Sequence, residues 1–227
     1  MKTFMPHTIM NQSVKMRLII FCTAIAVLVS FGCTTTEKVR MDPKVNLTEY
    51  QTIGIIEFSG NSKENLEPMV TQNFMQSVQT AQPNVRFLEL GTEIDLLREV
   101  NRSRLDSKSV KAIGKSYEVD AVFTGNMNFS EVKPSFNLST DLRSLSAKAY
   151  VEGTLNTRLW ESKNGATRWT KASISKKSVA NVGVSEKGPV SFGVNDPNEK
   201  YADLINGLVK SNTRDFYPYY VTRTVKK

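Results

Sequence analysis

Two long runs of β-compatible residues, Ser146 to Trp160 and Ala166 to Ala180, flank the short polar segment Glu161-Ser-Lys-Asn-Gly165. No other feature constrains the fold as much. Asn164-Gly165 supplies residue types that tolerate the positive φ angles of a tight reversal, so the segment predicts a long β-hairpin. Around it, hydrophobic periodicity assigns the remaining elements. Thr52 to Phe58 reads as a buried strand ended by a turn at Ser59-Gly60-Asn61. Leu66, Met69, Val70, Phe74 and Val78 fall at helical spacing, with Pro68 in the first turn. A short strand follows over Val85–Leu90. Thr92-Glu-Ile-Asp95 then has the form of a capping box opening a helix to about Asn101. Asp106-Ser107 predicts the start of another helix, with Val110, Ile113 and Tyr117 facing inward. The alternation from Val119 to Phe129 is that of a half-buried strand. Residues 181–197, with three glycines and two prolines, predict a mobile loop. Asp196-Pro197 opens a last helix presenting Tyr201, Leu204, Ile205, Leu208 and Val209 on one face, and a terminal edge strand is expected over Phe216–Val221. The order β-α-β-α-α-β-β-β-α-β predicts an α/β (α+β) fold: a mixed sheet with helices packed on it and a long hairpin.

The amino-terminal segment has a different character. Met1 to Arg17 is polar and basic, and Leu18 to Phe31 is an apolar run. Fourteen helical residues rise about 21 Å, short of the roughly 30 Å hydrocarbon core. The run therefore predicts a signal-peptide hydrophobic region rather than a membrane span. A start at Met16 would give a more compact leader. Gly32-Cys33 followed by Thr34-Thr35-Thr36 resembles a bacterial lipobox, in which the cysteine is acylated and the chain is cut before it. The expected organisation is a signal peptide over 1–32, a lipidated Cys33 and flexible tether over 33–48, a folded domain over 49–222, and a basic tail over 223–227. Acyl chains, palmitate among them, contribute about 0.8 kcal/mol per buried CH₂, so a triacylated Cys33 is a lasting anchor. Thr34 after the cysteine, rather than Asp, resembles the sorting signal for the outer membrane, with the protein facing the periplasm.

Residue usage narrows the chemistry. The only histidine is His7 and the only cysteines are Cys22 and Cys33. Beyond residue 32 the chain thus has one cysteine, expected to be acylated, and no histidine. Ser-His-Asp and Cys-His catalysis and His/Cys zinc sites have no residues to draw on. Ser-x-x-Lys occurs at Ser130–Lys133 and Ser173–Lys176, but in or beside predicted strands, where residues three apart face opposite ways. No phosphate-binding glycine loop opens a helix. The net charge falls from +8 for the whole chain to +5 beyond the leader, and no basic cluster interleaves with aromatics, so no nucleic acid is expected. No enzyme activity, cofactor or metal is expected.

Three stretches together carry a resemblance. Gly54-Ile-Ile-Glu-Phe-Ser59, Ile113-Gly-Lys-Ser-Tyr-Glu-Val-Asp-Ala-Val-Phe-Thr-Gly125, and Arg158-Leu-Trp-Glu-Ser-Lys-Asn-Gly165 with Trp169 on the return strand resemble, in this order, the lipoprotein family of CsgG and LpoB. The resemblance covers roughly residues 50–222. It implies a fold similar to the TolB amino-terminal domain and a lipid-anchored, non-catalytic module for another envelope protein such as a peptidoglycan synthase. Its alternative is a self-assembling, CsgG-like secretion-channel component, hence a homo-oligomer. A tether of about 15 residues spans at most about 50 Å, short for the activator type. The channel type needs strands with a lipid-facing apolar side, and Arg168, Lys171, Lys176 and Lys177 spoil that pattern on the return strand, since a lysine on a lipid face costs about 2–4 kcal/mol. A soluble hairpin is therefore expected. Trp160, Trp169, Asn164 and Gly165 are the candidate partner contacts, alongside the 181–197 loop.

Overall fold

A computed structural model describes residues 34–62, 65–131, 133–138, 144–185, 191–194 and 197–226. Cys33 and the expected signal peptide lie outside them. The chain divides into two units, residues 42–218 and a smaller one that joins residues up to Met41 with Tyr219–Lys227.

The larger unit is built on an eight-stranded mixed sheet. Its strands are β2 (Ile53–Ile56), β3 (Ser59–Gly60), β4 (Phe87–Gly91), β5 (Ala121–Phe129), β6 (Lys133–Leu138), β7 (Ser144–Glu161), β8 (Thr167–Ser185) and β9 (Ser191–Val194). The main path runs β4-β2-β5-β7-β8-β9, with β3 beside β5 and β6 beside β7. Parallel pairing of β2 with β4 and β5 gives way to antiparallel pairing from β5 onward. All four residues of β2 are buried, as a central parallel strand covered on both faces must be. The expected mixed sheet with packed helices and a long hairpin is the observed architecture.

Among the described residues four helices cover the sheet: α1 (Glu67–Ala81), α2 (Glu93–Glu99), α3 (Ser107–Tyr117) and α4 (Pro197–Asn212), the last continued by a 3-10 turn over Thr213–Phe216. α1 buries Val70, Phe74 and Val78, four residues apart on one face. Phe123 sits within 5.2 Å of Phe74, 5.8 Å of Phe216 and 6.2 Å of Trp169, ring centre to ring centre, so α1, the 3-10 turn and β8 meet around one β5 side chain. Leu155, Leu159, Leu204, Ile205 and Leu208 complete this core. A smaller core on the opposite face joins Val122 and Trp160 to Leu96 of α2 and to Val110 and Ile113 of α3. The two helix starts expected at Thr92 and Asp106 are capped. Thr92 Oγ1 accepts from Asp95 N, and Asp106 and Ser109 form a reciprocal box. The Ser109 and Lys108 amides that donate to Asp106 hold its carboxyl below the usual carboxylate range.

Several expectations need correction. Residues 34–48 do not form a tether throughout. β1 (Thr34–Met41) pairs antiparallel with β10 (Tyr219–Lys226), from Thr34 opposite Lys226 to Met41 opposite Tyr219. The expected tail over 223–227 thus lies mostly within a strand. Leu47 is fully buried, its amide donating to Gln82 Oε1 at 2.8 Å, so folded structure begins before residue 49. Short polar segments show no periodicity of their own, and their partners lie far away in sequence. The glycine-rich stretch from 181 is also partly strand: β8 continues to Ser185, and β9 returns beside it. Residues 186–190 and 195–196 lie outside the described residues.

β6 was not legible in the sequence either, and with β9 it widens the far part of the hairpin to four strands. Its cross-strand rows alternate in residue type. Pro134–Ala149–Ala180–Val194, Phe136–Ala147–Val182–Phe192 and Leu138–Leu145–Val184 are apolar rows. Ser135–Lys148–Asn181–Gly193 and Asn137–Ser146–Gly183–Ser191, between them, are polar or glycine.

Candidate functional site

The two faces of the sheet are covered unequally. α1 and α4 pack over one face, whereas α2 and α3 contribute only to the smaller core on the other, around Val122 and Trp160. Beyond that core the second face continues as three cross-strand rows: Thr124–Arg158–Thr170, Asn126–Asn156–Ala172 and Asn128–Thr154–Ile174. Asn126, Asn128, Asn156, Arg158, Thr170 and Ile174 are exposed. Alternation accounts for this, because the neighbours of these residues along each strand, Met127, Leu155, Leu159 and Ser173 among them, are buried on the other side.

A cleft of about 540 Å³ lies on this face, lined among others by Asn126, Asn156, Arg158, Trp160 and Thr170, with Glu93 of α2 at its edge. The Arg158 guanidinium stands 4.7 Å over the Trp160 ring, a cation–π contact, and the indole N–H donates to Thr124 Oγ1 at 3.2 Å. Asn126 Nδ2 donates to Ser59 Oγ at 2.9 Å, and Asn128 Nδ2 donates to Asn126 Oδ1. The result is a row of side-chain amides and hydroxyls on a stiff strand framework. Such a surface offers hydrogen bonds and one guanidinium and holds no nucleophile–base pair. Lys176, further along β8, lies 4.4 Å over the Tyr150 ring.

The expected contact residues do not form one surface. Leu159 stands directly opposite Trp169, so these two share a face, while Trp160, next along β7, is on the other. Each tryptophan is only 9% exposed: Trp169 packs in the larger core and Trp160 in the smaller. Both are packing residues, and Trp160 reaches the cleft only as its floor beneath Arg158. The hairpin turn lies where expected, but Asn164 does not take the positive φ expected of it. Glu161 N donates to Ala166 O and Gly165 N to Glu161 O, each at 2.8 Å, which closes a wider loop. Only Gly165, at φ +68°, is left-handed there; Asn164 instead braces the loop, its Nδ2 bonded to Glu161 Oε2 and its Oδ1 to Ala166 N.

That turn is clasped by α3. A Cβ on Gly165 would come within 2.2 Å of Ser107 Oγ, and one on Gly114 would come within 2.2 Å of Ser162 Cβ. Glycine at 114, inside one of the recognised motifs, is therefore required for close packing of helix on turn. Of the four expected contacts, Asn164 alone is exposed.

The Ser-x-x-Lys pairs do not assemble. Ser173 is buried, receiving a 2.8 Å hydrogen bond from Asn212 Nδ2, while Lys176 is exposed on the opposite face. Ser130 Oγ donates to the Glu131 carbonyl and accepts from Glu152 N. Sequence reasoning missed two polar anchors. Asn212, fully buried at the end of α4, donates to Leu155 O as well as to Ser173, pinning the helix to both hairpin strands. Asp215 accepts from Lys171 Nζ at 2.9 Å and from Trp169 Nε1 at 3.3 Å. Burial alone would raise this carboxyl, but these two donors and the charges of Lys171 and Lys44 hold it below its ordinary value. Nothing in the pattern marks either residue, since Asn212 ends a helix and Asp215 lies in the turn after it, where polar residues are commonplace.

Among the described residues, no group of three acidic, His or Cys side chains is placed to hold a metal ion, and no helix is long and apolar enough to cross a membrane. No protein-family model matches the sequence, and no curated protein matches it. Solved structures similar to the chain include a PelC dodecamer from Paraburkholderia phytofirmans, 11% identical, covering 80% of this chain and 97% of that one at a TM-score of 0.35. The LpoB C-terminal domain from Salmonella enterica is 8% identical, covering 60% of this chain and 84% of that one at a TM-score of 0.34. Lipoprotein GNA1162 from Neisseria meningitidis is 12% identical, covering 56% of this chain and 83% of that one at a TM-score of 0.33. A likeness this distant decides neither family nor function.

Proposed function

We propose that this chain is an outer-membrane lipoprotein, anchored through Cys33 and facing the periplasm, that serves as a non-catalytic binding module for another envelope protein, such as a peptidoglycan synthase. The open face of β5, β7 and β8 carries the reading. It is a polar, partly concave surface of exposed Asn126, Asn156, Arg158 and Thr170 on strands whose reverse side buries Met127, Leu155, Leu159 and Ser173. Preformed surfaces of this kind bind with little ordering cost. The residue types available beyond residue 32 support a binding role over a catalytic one. A photo-crosslinking amino acid at Asn156 or Ile174 in cells should capture an envelope protein, while the same probe at Lys111 on α3 should not. Robust turnover of cell-wall or lipid substrates by the purified protein would sink the proposal.

A second reading, a self-assembling CsgG-like channel component, is favoured by one observation: the alternating apolar and polar rows of β6, distal β7, distal β8 and β9. Such alternation suits a sheet with one side in lipid. The lysines that argue against a lipid face, Lys171, Lys176 and Lys177, all lie nearer the turn than this four-stranded part. Self-crosslinks from probes at residues 145 and 147 would support assembly, and a strictly monomeric lipidated protein in mild detergent would remove it.

A further inference from the structure

The β1–β10 ribbon sorts its charges by register. One set of cross-strand rows is Thr34–Lys226, Thr36–Thr224, Lys38–Thr222 and Arg40–Tyr220; the alternate set is Thr35–Val225, Glu37–Arg223, Val39–Val221 and Met41–Tyr219. Rows alternate between the two faces of a pleated pair. The first set therefore gathers Lys38, Arg40 and Lys226 with threonines and one tyrosine and contains no acid. The ribbon's one acid, Glu37, falls in the other set, opposite Arg223, where cross-strand charges of opposite sign attract. Lys38 and Arg40 are exposed, and Tyr220 in their set is 66% exposed.

The same register brings β10 beside the expected anchor. Lys226 stands opposite Thr34, one residue from Cys33, and Lys227 follows it in sequence. A two-stranded ribbon is marginally stable alone in water and gains from a surface to lie on. Resting on the reading that Cys33 is acylated, we infer that the acid-free face of this ribbon lies on the anionic lipid headgroups of the membrane that holds the acyl chains. Basic residues are attracted to such a surface only within a Debye length, about 8–10 Å. Lys38 and Arg40 are roughly 14 and 20 Å along the strand from Thr34, so they contribute only if the ribbon lies along the surface rather than standing on it. The β1–β10 ribbon thus acts as a second, electrostatic contact beside the acyl anchor.

The test uses the mature chain, residues 33–227, with Cys33→Ser to remove the acyl contribution, and vesicles of phosphatidylcholine with or without phosphatidylglycerol. The chain is expected to prefer the anionic vesicles, less so at high salt. Lys38→Glu, Arg40→Glu and Lys226→Glu combined should weaken that binding by at least about ten-fold. The same charge change on α3, Lys108→Glu, Lys111→Glu and Lys115→Glu, should change it by no more than about two-fold. Glu37→Gln with Arg223→Gln loosens the ribbon but leaves the basic face intact, and binding should persist. The inference is overturned if the unaltered chain shows no anionic preference, if the α3 variant loses as much, or if the Glu37/Arg223 variant does. Incorporation of a palmitate analogue into the full-length protein, abolished by Cys33→Ser, tests the acyl anchor separately, so either reading can fail alone.

Discussion

The two faces of the larger unit's sheet share the same strands and have opposite characters. On the covered face, Phe123 meets Phe74, Phe216 and Trp169, and buried polar groups such as Asn212 are bonded to strand backbone and side chains. On the open face, Thr124 and Asn126 lie with Asn156, Arg158 and Thr170 around a cleft. In the proposed reading, stability and partner binding fall to alternate residues of the same strands. A change at Gly153, Leu155, Thr157 or Leu159 of β7 is expected to act on folding, and one at Thr154, Asn156 or Arg158 on the proposed docking.

Substitutions can break or sharpen this contrast. The largest effect is expected from Phe123→Ala, which empties the centre of the aromatic cluster and should cost about 3–5 kcal/mol in urea unfolding. Next comes Asp215→Asn, expected to cost about 1.5–3 kcal/mol near neutral pH by weakening the contacts of Lys171 and Trp169. Because this carboxyl is depressed in the folded protein, its contribution is present above the unfolded value near 4 and is lost as pH falls through the lower folded value. The gap between the variant and the unaltered protein should therefore close in acid, which thermal melts from pH 7 to pH 3 would follow; a constant gap would contradict the assignment. Gly165→Ala should cost about 1–3 kcal/mol, since its Cβ meets Ser107 and its φ is left-handed. Smallest in stability are Asn156→Ala and Arg158→Ala, each within about 0.5 kcal/mol. Both should nonetheless reduce partner capture in cells. If they unfold the protein as Phe123→Ala does, the division between the two faces is wrong.

At alkaline pH a separate effect is expected on the covered side. Burial, followed by the charge of Glu49, pushes the Tyr50 phenol up to about 12. The neutral phenol is favoured in the fold, so its contribution is complete below the unfolded value near 10 and is lost as pH rises through the folded value. Tyr50→Phe should flatten the stability profile above pH 10.

The sequence by itself determined the helices, the long hairpin and the mixed character of the sheet, because amphipathic periodicity and capping residues act over a few neighbours. Val70, Phe74 and Val78 face the core as their spacing requires, and Thr92 and Asp106 cap the helices they precede. It also set the chemical repertoire, through the lack of histidine beyond residue 32 and the placement of Cys33. Tertiary structure decided the rest. β1 has no pattern of its own and becomes a strand because β10 lies beside it; β6 and β9 depend in the same way on β7 and β8. The open face was invisible for a related reason. Trp160 and Trp169 look alike in a sequence, and only the register shows that they point to opposite sides of the sheet, leaving the asparagines of strands β5 and β7 as the surface. Local periodicity reports which side chains alternate, whereas the choice of which alternate set is covered depends on helices that arrive from elsewhere in the chain.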